Sequence, residues 1–379
     1  MDFSQMSTQD LVLPLLFIVA FLAQVIFLMV RICPLAFFKK QQPSTIGFQP
    51  KASVIICAKN EAENLERFLP AILTQDYPDY QVVVVNDCSE DDSELVLARL
   101  KQQYPRLYYT TIPMDRRFHH GKKLALTIGI KAAKHDYLVL TDADCNPAGN
   151  QWLRKMMEGF ASDQKEIVLG FGGYQKTKGL LNLLVRYDTL WVAMQYLGFA
   201  LGGKPYMGVG RNLAYRKNLF VSGTGFKNHS HIASGDDDLF VQAHATSKNT
   251  EIVIDHQAHT LSEPPTTWSR WRLQKARHLT TAPLYKRGIK VELFTEPLTR
   301  EIFWLLGIVL IIFNTFVLLA GGLLLSYLMI KTLFWHQASR KLNQGRLFWS
   351  VIIFDFFHPW LLLWAKTSNF SGSNKKRWK

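Results

Sequence analysis

The chain reads in three textures. Residues 11–30 (LVLPLLFIVAFLAQVIFLMV) and 302–330 (IFWLLGIVLIIFNTFVLLAGGLLLSYLMI) contain no Asp, Glu, Lys or Arg. Runs of about 18 or more such residues are long enough to cross a bilayer. Between them, residues 51–265 alternate short apolar runs with helix-like stretches. The runs 54–57 (VIIC), 82–85 (VVVV), 137–140 (YLVL) and 167–169 (IVL) are apolar at every position. Continuous apolar strands belong to a sheet covered on both faces. Helices are predicted between them, over 61–75, 91–103, 122–134 and 151–160. Ser89 followed by Asp92 predicts a capping-box start for the second helix. This strand–helix alternation predicts an α/β domain with a mostly parallel sheet, whose ligands bind beyond the carboxyl ends of the strands.

The first apolar run has Asp2 and Asp10 in front of it and Arg31, Lys39 and Lys40 behind it. A cleaved signal peptide has the opposite polarity and a shorter apolar core. A retained anchor is therefore expected, with the following residues in the cytosol by the positive-inside rule. Residues 302–335 fit one tilted span or a hairpin turning near Asn314 or near Gly321 and Gly322. Lys331, Arg340, Lys341 and Arg346 follow with no acid among them, which favours the hairpin. The apolar stretch 347–365 holds Asp355, His358 and Pro359, so crossing and interfacial placements both remain open. The tail carries Lys375, Lys376, Arg377 and Lys379. The expected organisation is an anchor over 1–40, a catalytic domain over 51–265, a basic segment over 266–300, apolar helices over 301–365 and a basic tail over 366–379.

Composition sharpens this picture at three points. With 20% charged residues and 48% hydrophobic residues among 379, the chain has the material for a large core, and disorder is excluded. The net charge of +14 gathers partly in 266–290, where seven Lys and Arg stand without an acid. Such a segment fits anionic lipid, anionic substrate or both. Cys33, Cys57, Cys88 and Cys145 are scattered, so neither a disulfide framework nor a CxxC metal site is expected.

Three acidic groups carry the candidate chemistry. Asp87 directly follows the VVVVN run, and Asp142 and Asp144 (TDADC) directly follow YLVLT. In extended chain a D-x-D pair points both carboxylates to one side. Hard oxygen ligands there suit Mg²⁺ or Mn²⁺ shared with substrate phosphates. The plainer reading of an acid after a strand is a turn former. Asp236, Asp237 and Asp238 form the third group. Mutual repulsion there can raise one carboxyl into the range of a general base, or the three can simply favour a helix start. Among the basic residues, Lys122 follows Gly121 at a predicted helix amino end, a phosphate-binding position. Gln274 and Arg277 are three apart, on one face of a helix. The pairs His119/His120, His229/His231 and His256/His259 have no zinc framework and are expected at the surface or lining substrate. Trp268 and Trp271 are expected to pack or to lie at the membrane interface.

Seven stretches, in order, match a known pattern: SVIICAKNEAENL (53–65), VVVVNDCSEDDS (82–93), GKKLALTIG (121–129), YLVLTDADC (137–145), GVGRNLAYRK (208–217), SGDDDLF (234–240) and QKARH (274–278). The chain resembles membrane-integrated family 2 glycosyltransferases of GT-A fold, related to processive polysaccharide synthases and ceramide-type glucosyltransferases. The resemblance implies a Rossmann-like, mostly parallel α/β catalytic domain flanked by N- and C-terminal transmembrane helices. It implies that Ala58, Glu61 and Asp87 hold the base and ribose of a nucleotide-sugar donor, a UDP-sugar first of all, with Lys122 near the donor. Asp142 and Asp144 match the DxD that meets the sugar and a divalent cation, Mg²⁺ or Mn²⁺. Asp236 matches the general base, with Asp237 next in line. Gln274 and Arg277 match the QxxRW motif at the donor diphosphate. His278 stands where processive members have Trp, and Gly235 where Glu often precedes the base.

The implied partners are the donor, a lipid or membrane-associated glycan acceptor and membrane lipids, with no nucleic acid. The implied location is a bacterial inner membrane with the catalytic domain cytoplasmic. Three other readings stand beside this one: a processive polysaccharide synthase, a membrane-bound nucleotidyltransferase and an inactive nucleotide-sugar-binding scaffold. A nucleotidyltransferase gives no reason for Asp236 or for Gln274 and Arg277. The intact acids argue against a scaffold.

Overall fold

The structure, a computed structural model, describes residues 8–39, 48–115, 121–230, 232, 234–345 and 347–367. The expectations for His119, His120, His231, Arg346 and the tail lysines lie outside these residues. The chain starts with α1 (Thr8–Phe27), which runs through one widened turn, Leu28–Ile32, into α2 (Cys33–Ala36). The widened turn comes just before Pro34, whose ring cannot seat an ordinary helical hydrogen bond behind it.

A parallel half-sheet follows. The strands β1 (Ala52–Ala58), β2 (Tyr80–Asp87), β3 (Leu107–Ile112) and β4 (Tyr137–Asp142) alternate with α3 (Ala62–Leu73), α4 (Ser93–Gln103) and α5 (Lys122–Ala132). After β5 (Cys145–Pro147) come α6 (Trp152–Glu158), β6 (Ile167–Gly170), β7 (Gly172–Tyr174) and the 22-residue α7 (Leu180–Leu201). The remaining elements of the domain are β8 (Leu213–Arg216), α8 (Lys217–Val221), α9 (Asp238–His244), β9 (Thr250–Val253) and β10 (Thr260–Ser262). Seven strands form one sheet in the order β3-β2-β1-β4-β8-β6-β9, antiparallel only where β8 meets β4 and β6. The sheet β5-β10-β7 sits apart.

The continuous apolar runs have a physical reason. Every residue of β1 and β2 is buried. Period-two alternation sends Ile55, Cys57, Val83 and Val85 to one core and Val54, Ile56, Val82 and Val84 to the other. The first core continues without a break into the apolar helices, through Phe17, Phe303, Tyr327 and Trp335.

The expected capping box is not formed. Ser89 Oγ instead accepts the Asn60 amide at 2.8 Å, and Asp91 takes over the local work, accepting the Ser93 amide at 3.1 Å and the Ala62 amide at 2.9 Å. Ser89 and Asp91 thus tie the loop after β2 to the loop after β1, which a local motif could not reveal.

The carboxyl-terminal part comprises α10 (Trp268–His278), α11 (Arg287–Ile312), α12 (Val317–Lys341) and α13 (Phe348–Lys366). Between α11 and α12 the chain reverses at Asn314 (φ 53°) and Phe316 (φ 50°), while Gly321 and Gly322 lie within α12. The run 302–330 is thus a hairpin, turning at the first of the two expected places. Two helical stretches, Leu11–Ala36 and Val317–Lys341, are long and apolar enough to cross a membrane. Within α13 the side chains of Asp355 and His358 point inward. Asp355 accepts from Trp304 at 2.8 Å and from Tyr327 at 2.9 Å and pairs with Lys331, and His358 is 1% exposed.

Candidate active site

The strand register sets the site. Ala58 pairs with Asn86 across β1 and β2, and Cys57 pairs with Asp142 across β1 and β4. Ala58, Asp87 and Asp142 therefore end three adjacent strands at one edge of the sheet, where α/β ligands bind. Glu61, 7% exposed, follows β1 at the amino end of α3, and its amide donates to Ser93 Oγ at 3.1 Å. Glu61 shares a shallow polar groove with Asn60, Asn64 and Asp91. Asp87 is fully buried at the end of β2.

Lys122, the first residue of α5, bridges two acidic groups that are far apart in the chain. Its Nζ lies 2.7 Å from Asp142 Oδ1 and 3.3 Å from Asp236 Oδ2. Burial opposes its charge, but Asp142, Asp236 and Asp237 outweigh that and hold the ammonium well above the usual lysine range. For Asp142 burial works against ionisation, yet Lys122, Arg211 and Arg277 win and lower it. Asp144 has less compensation. Burial and the Asp142 charge push it up to about 6.

The three consecutive acids point in three directions. Asp236 faces Lys122 and is 6% exposed. Asp237 turns back on its own loop, accepting the Gly210 amide at 2.7 Å and the Asp238 amide at 2.8 Å. Burial and the charges of Asp236 and Asp238 push Asp237 up to about 7. Asp238 points away from Lys122 and accepts the hydroxyls of Thr281 and Tyr285.

The opposite wall comes from α10 and β7. Gln274 Nε2 donates to Tyr174 Oη at 2.9 Å, and the Arg211 guanidinium lies 4.4 Å from the centre of the same ring. Arg277 is close enough to help lower Asp142. Arg211 and Tyr174 were not singled out from the sequence, although Arg211 lies inside the quoted GVGR stretch. Its backbone carbonyl accepts Thr141 Oγ1 at 3.1 Å and Thr260 Oγ1 at 2.9 Å. Gly172 leaves room for its side chain, since a Cβ there would meet Arg211 Cγ at 2.6 Å. Loss of hydration and the neighbouring charges of Lys275, Arg277 and Arg211 hold His278 neutral.

Asp142, Asp144 and Cys145 have donor atoms within 4.8 Å of one another, and this is the metal-capable group among the described residues. Burial and the adjacent Asp144 and Asp142 push the Cys145 thiol far up, and its sulfur is 3.0 Å from Ser262 Oγ. Hard cations such as Mg²⁺ and Mn²⁺ prefer oxygen ligands to sulfur. The carboxylates are left as ligands, and an Asp144 that is short of positive charge fits a site built for a cation.

The histidines divide. His256 is exposed on its loop, but His259 is 2% exposed and packs its ring edge against Phe171. The expectation of a surface or substrate-lining role fails for His259, because a neutral ring bonded to the Ile254 carbonyl is a core residue. Trp271 is buried and stacks on Trp364, and Trp268 is partly exposed beside it.

Comparison with known proteins adds three findings. The sequence model of "Glycosyl transferase family 2" matches residues 53–222. Poly-beta-1,6-N-acetyl-D-glucosamine synthase of Staphylococcus epidermidis is 27% identical over 116 residues, covering 28% of this chain and 27% of that protein. Beta-monoglucosyldiacylglycerol synthase of a Synechocystis species is 29% identical over 148 residues, covering 38% of this chain and 29% of that protein. The alignments thus span under a third of either relative's length. In fold, the chain is similar to a mannosyltransferase of Pyrobaculum calidifontis solved with GDP-Man and Mn²⁺. That likeness has a TM-score of 0.58 and 19% identity, covering 89% of this chain and 99% of the other. Residues 53–222 thus match the family 2 glycosyltransferase model, and the chain has the GT-A fold.

Proposed function

We propose that this chain is a family 2 glycosyltransferase that moves a sugar, with inversion, from a nucleoside-diphosphate sugar to a membrane-associated acceptor, a UDP-sugar being the first donor to try. The observation that carries the reading is the line Asp142–Lys122–Asp236, with contacts of 2.7 and 3.3 Å at the carboxyl edge of the sheet. In this reading Ala58, Glu61 and Asp87 hold base and ribose, and Asp142 and Asp144 hold a divalent cation, Mg²⁺ or Mn²⁺. When bound, that cation supplies charge neutralisation at the leaving diphosphate. Asp236 takes the proton of the acceptor hydroxyl as its oxygen attacks the anomeric carbon, and the bond from that carbon to the diphosphate breaks.

Lys122, Arg277 and Gln274 orient the diphosphate and stabilise its growing charge. At an effective dielectric of about 20, one cation at 4 Å offsets about 4 kcal/mol, so several such contacts are worth having. The other two acids support Asp236 over Asp237 as base, because Asp237 and Asp238 already spend their oxygens on fixed donors.

The apolar helices beside the site support a membrane-associated acceptor, and the Synechocystis relative's printed name includes a lipid, diacylglycerol. Arg31 after the first apolar helix and Arg340 and Lys341 at the end of α12 support a cytoplasmic catalytic face, in an inner membrane of bacterial type. We assign residues 1–40 to the anchor, 51–265 to the catalytic domain, 266–300 to the basic interfacial segment, 301–365 to the apolar helices and 366–379 to the tail. The Staphylococcus relative makes a polymer by its name, but His278 in place of Trp favours a single transfer here.

The test is nucleotide release from a panel of UDP- and GDP-sugars by the detergent-solubilised chain, with Mn²⁺ or Mg²⁺ and membrane lipid extract. The wild type should turn over at least one donor, and Asp236→Asn should lower kcat by about 10²- to 10⁴-fold. No turnover with any donor, or full turnover by Asp236→Asn, would sink the reading.

A further inference from the structure

The helix α10 has two working faces. Gln274 and Arg277 share one. Trp271 and Lys275, four apart, share another, with Arg272 beside them. The second face is held by residues the proposed chemistry does not use. The Lys275 ammonium pairs with one oxygen of Asp188 on α7, and the other oxygen lies 3.0 Å from His358 Nε2 on α13. The side chains of Asp188 and His358 are each 2% exposed and that of Lys275 is 13% exposed. One carboxylate thus joins three helices out of reach of solvent.

A second junction lies one turn away. Arg272 donates to the Trp364 carbonyl at 3.2 Å and to Thr367 Oγ1 at 3.3 Å, and its guanidinium sits 4.8 Å from the centre of the Trp364 ring. Trp271 stacks on that ring at 6.4 Å. The outer face of α13 is apolar, with Trp349, Ile352, Phe357 and Trp360 each about half exposed. The helix that carries Gln274 and Arg277 is therefore bolted, by buried charge and by stacking, to a helix whose other face suits lipid.

We propose that Asp188 is a positioning residue: its two oxygens, one on Lys275 and one on His358, lock α10 to α13, so that the seating of α13 in the bilayer sets where Gln274 and Arg277 meet the donor diphosphate. The inference rests on the proposed transfer for the role of those two residues, but the lock itself does not. Asp188 touches no substrate. It acts through α10, and the buried ion pair gives it a defined direction of action, because removing one partner strands the other charge away from water.

The test uses the full chain in lipid nanodiscs, with Asp188→Asn, Lys275→Met and the double variant. Backbone hydrogen exchange of residues 268–278 should speed up by about tenfold in Asp188→Asn, with β1 and β2 unchanged. UDP binding in the presence of Mn²⁺ should weaken by about tenfold in each single variant and no further in the double, because the two share one interaction. For any donor turned over, the loss should fall on KM more than on kcat. A general loss of structure would instead speed exchange throughout the domain. Unchanged exchange in α10, or penalties that multiply in the double variant, would overturn the proposal. If the wild type binds neither UDP nor GDP, the transferase reading falls, and the exchange measurement alone decides the lock.

Discussion

Asp144 is where burial and charge set a measurable property. Its carboxyl is pushed up to about 6 by burial and by Asp142, so it carries a proton at lower pH that a metal ion must displace. The sign follows directly. Below pH 6 the ligand is neutral, and metal affinity falls as pH falls through that value. Calorimetric titration of Mn²⁺ should therefore show an apparent Kd that is flat above about pH 7 and rises about tenfold per unit below pH 6. A flat profile down to pH 5 would remove Asp144 from the ligand set. The residue scale also shows where reading a sequence stops. The D-x-D spacing at the end of a strand was legible, but Asp142 is the last residue of β4 and Asp144 lies in the turn after it, so the extended geometry expected for the pair ends at Asp142. The separate directions of Asp236, Asp237 and Asp238 were not legible, since they depend on Lys122, Gly210 and Tyr285, brought in from other segments.

Among the elements, the strands were readable because a sheet covered on both faces must be apolar at every position, and 82–85 is four valines in a row. The hairpin was readable as one of two choices, and the left-handed backbone at Asn314 decided it. The failed capping box had the right residues, but the contact to Asn60 competes with the local one. The close crossing of α7 over the N-terminal helix was invisible. Gly198 permits it, because a Cβ there would lie 1.7 Å from the Arg31 carbonyl oxygen. That atom is backbone and cannot step aside. Gly198→Ala should therefore part the two helices and destabilise the protein by about 1–3 kcal/mol or more, seen as a lower midpoint in thermal unfolding in detergent. An unchanged midpoint would mean that α7 and the N-terminal helix are not in contact. Gly129 on α5 makes a similar approach to Ile55 at 2.8 Å, but there the neighbour is a side chain, and the same change should cost less.

At the scale of the whole molecule, a GT-A fold is joined to apolar helices through one continuous core, from Ile55 and Val83 in the sheet to Phe303 and Trp335 in the helices. The polar site and the exposed apolar helices are therefore parts of one packed body, which suits the proposed membrane-associated acceptor. The account stands or falls on whether residues from the ends of β2 and β4, the start of α5, the stretch before α9 and one face of α10 surround one substrate. A structure of the chain determined with UDP and Mn²⁺ tests this most directly. The account predicts the metal at Asp142 and Asp144, the uracil and ribose beside Glu61 and Asp87, and the diphosphate within hydrogen-bond reach of Arg277. A nucleotide bound away from that edge of the sheet, or a metal that leaves both carboxylates untouched, would contradict it.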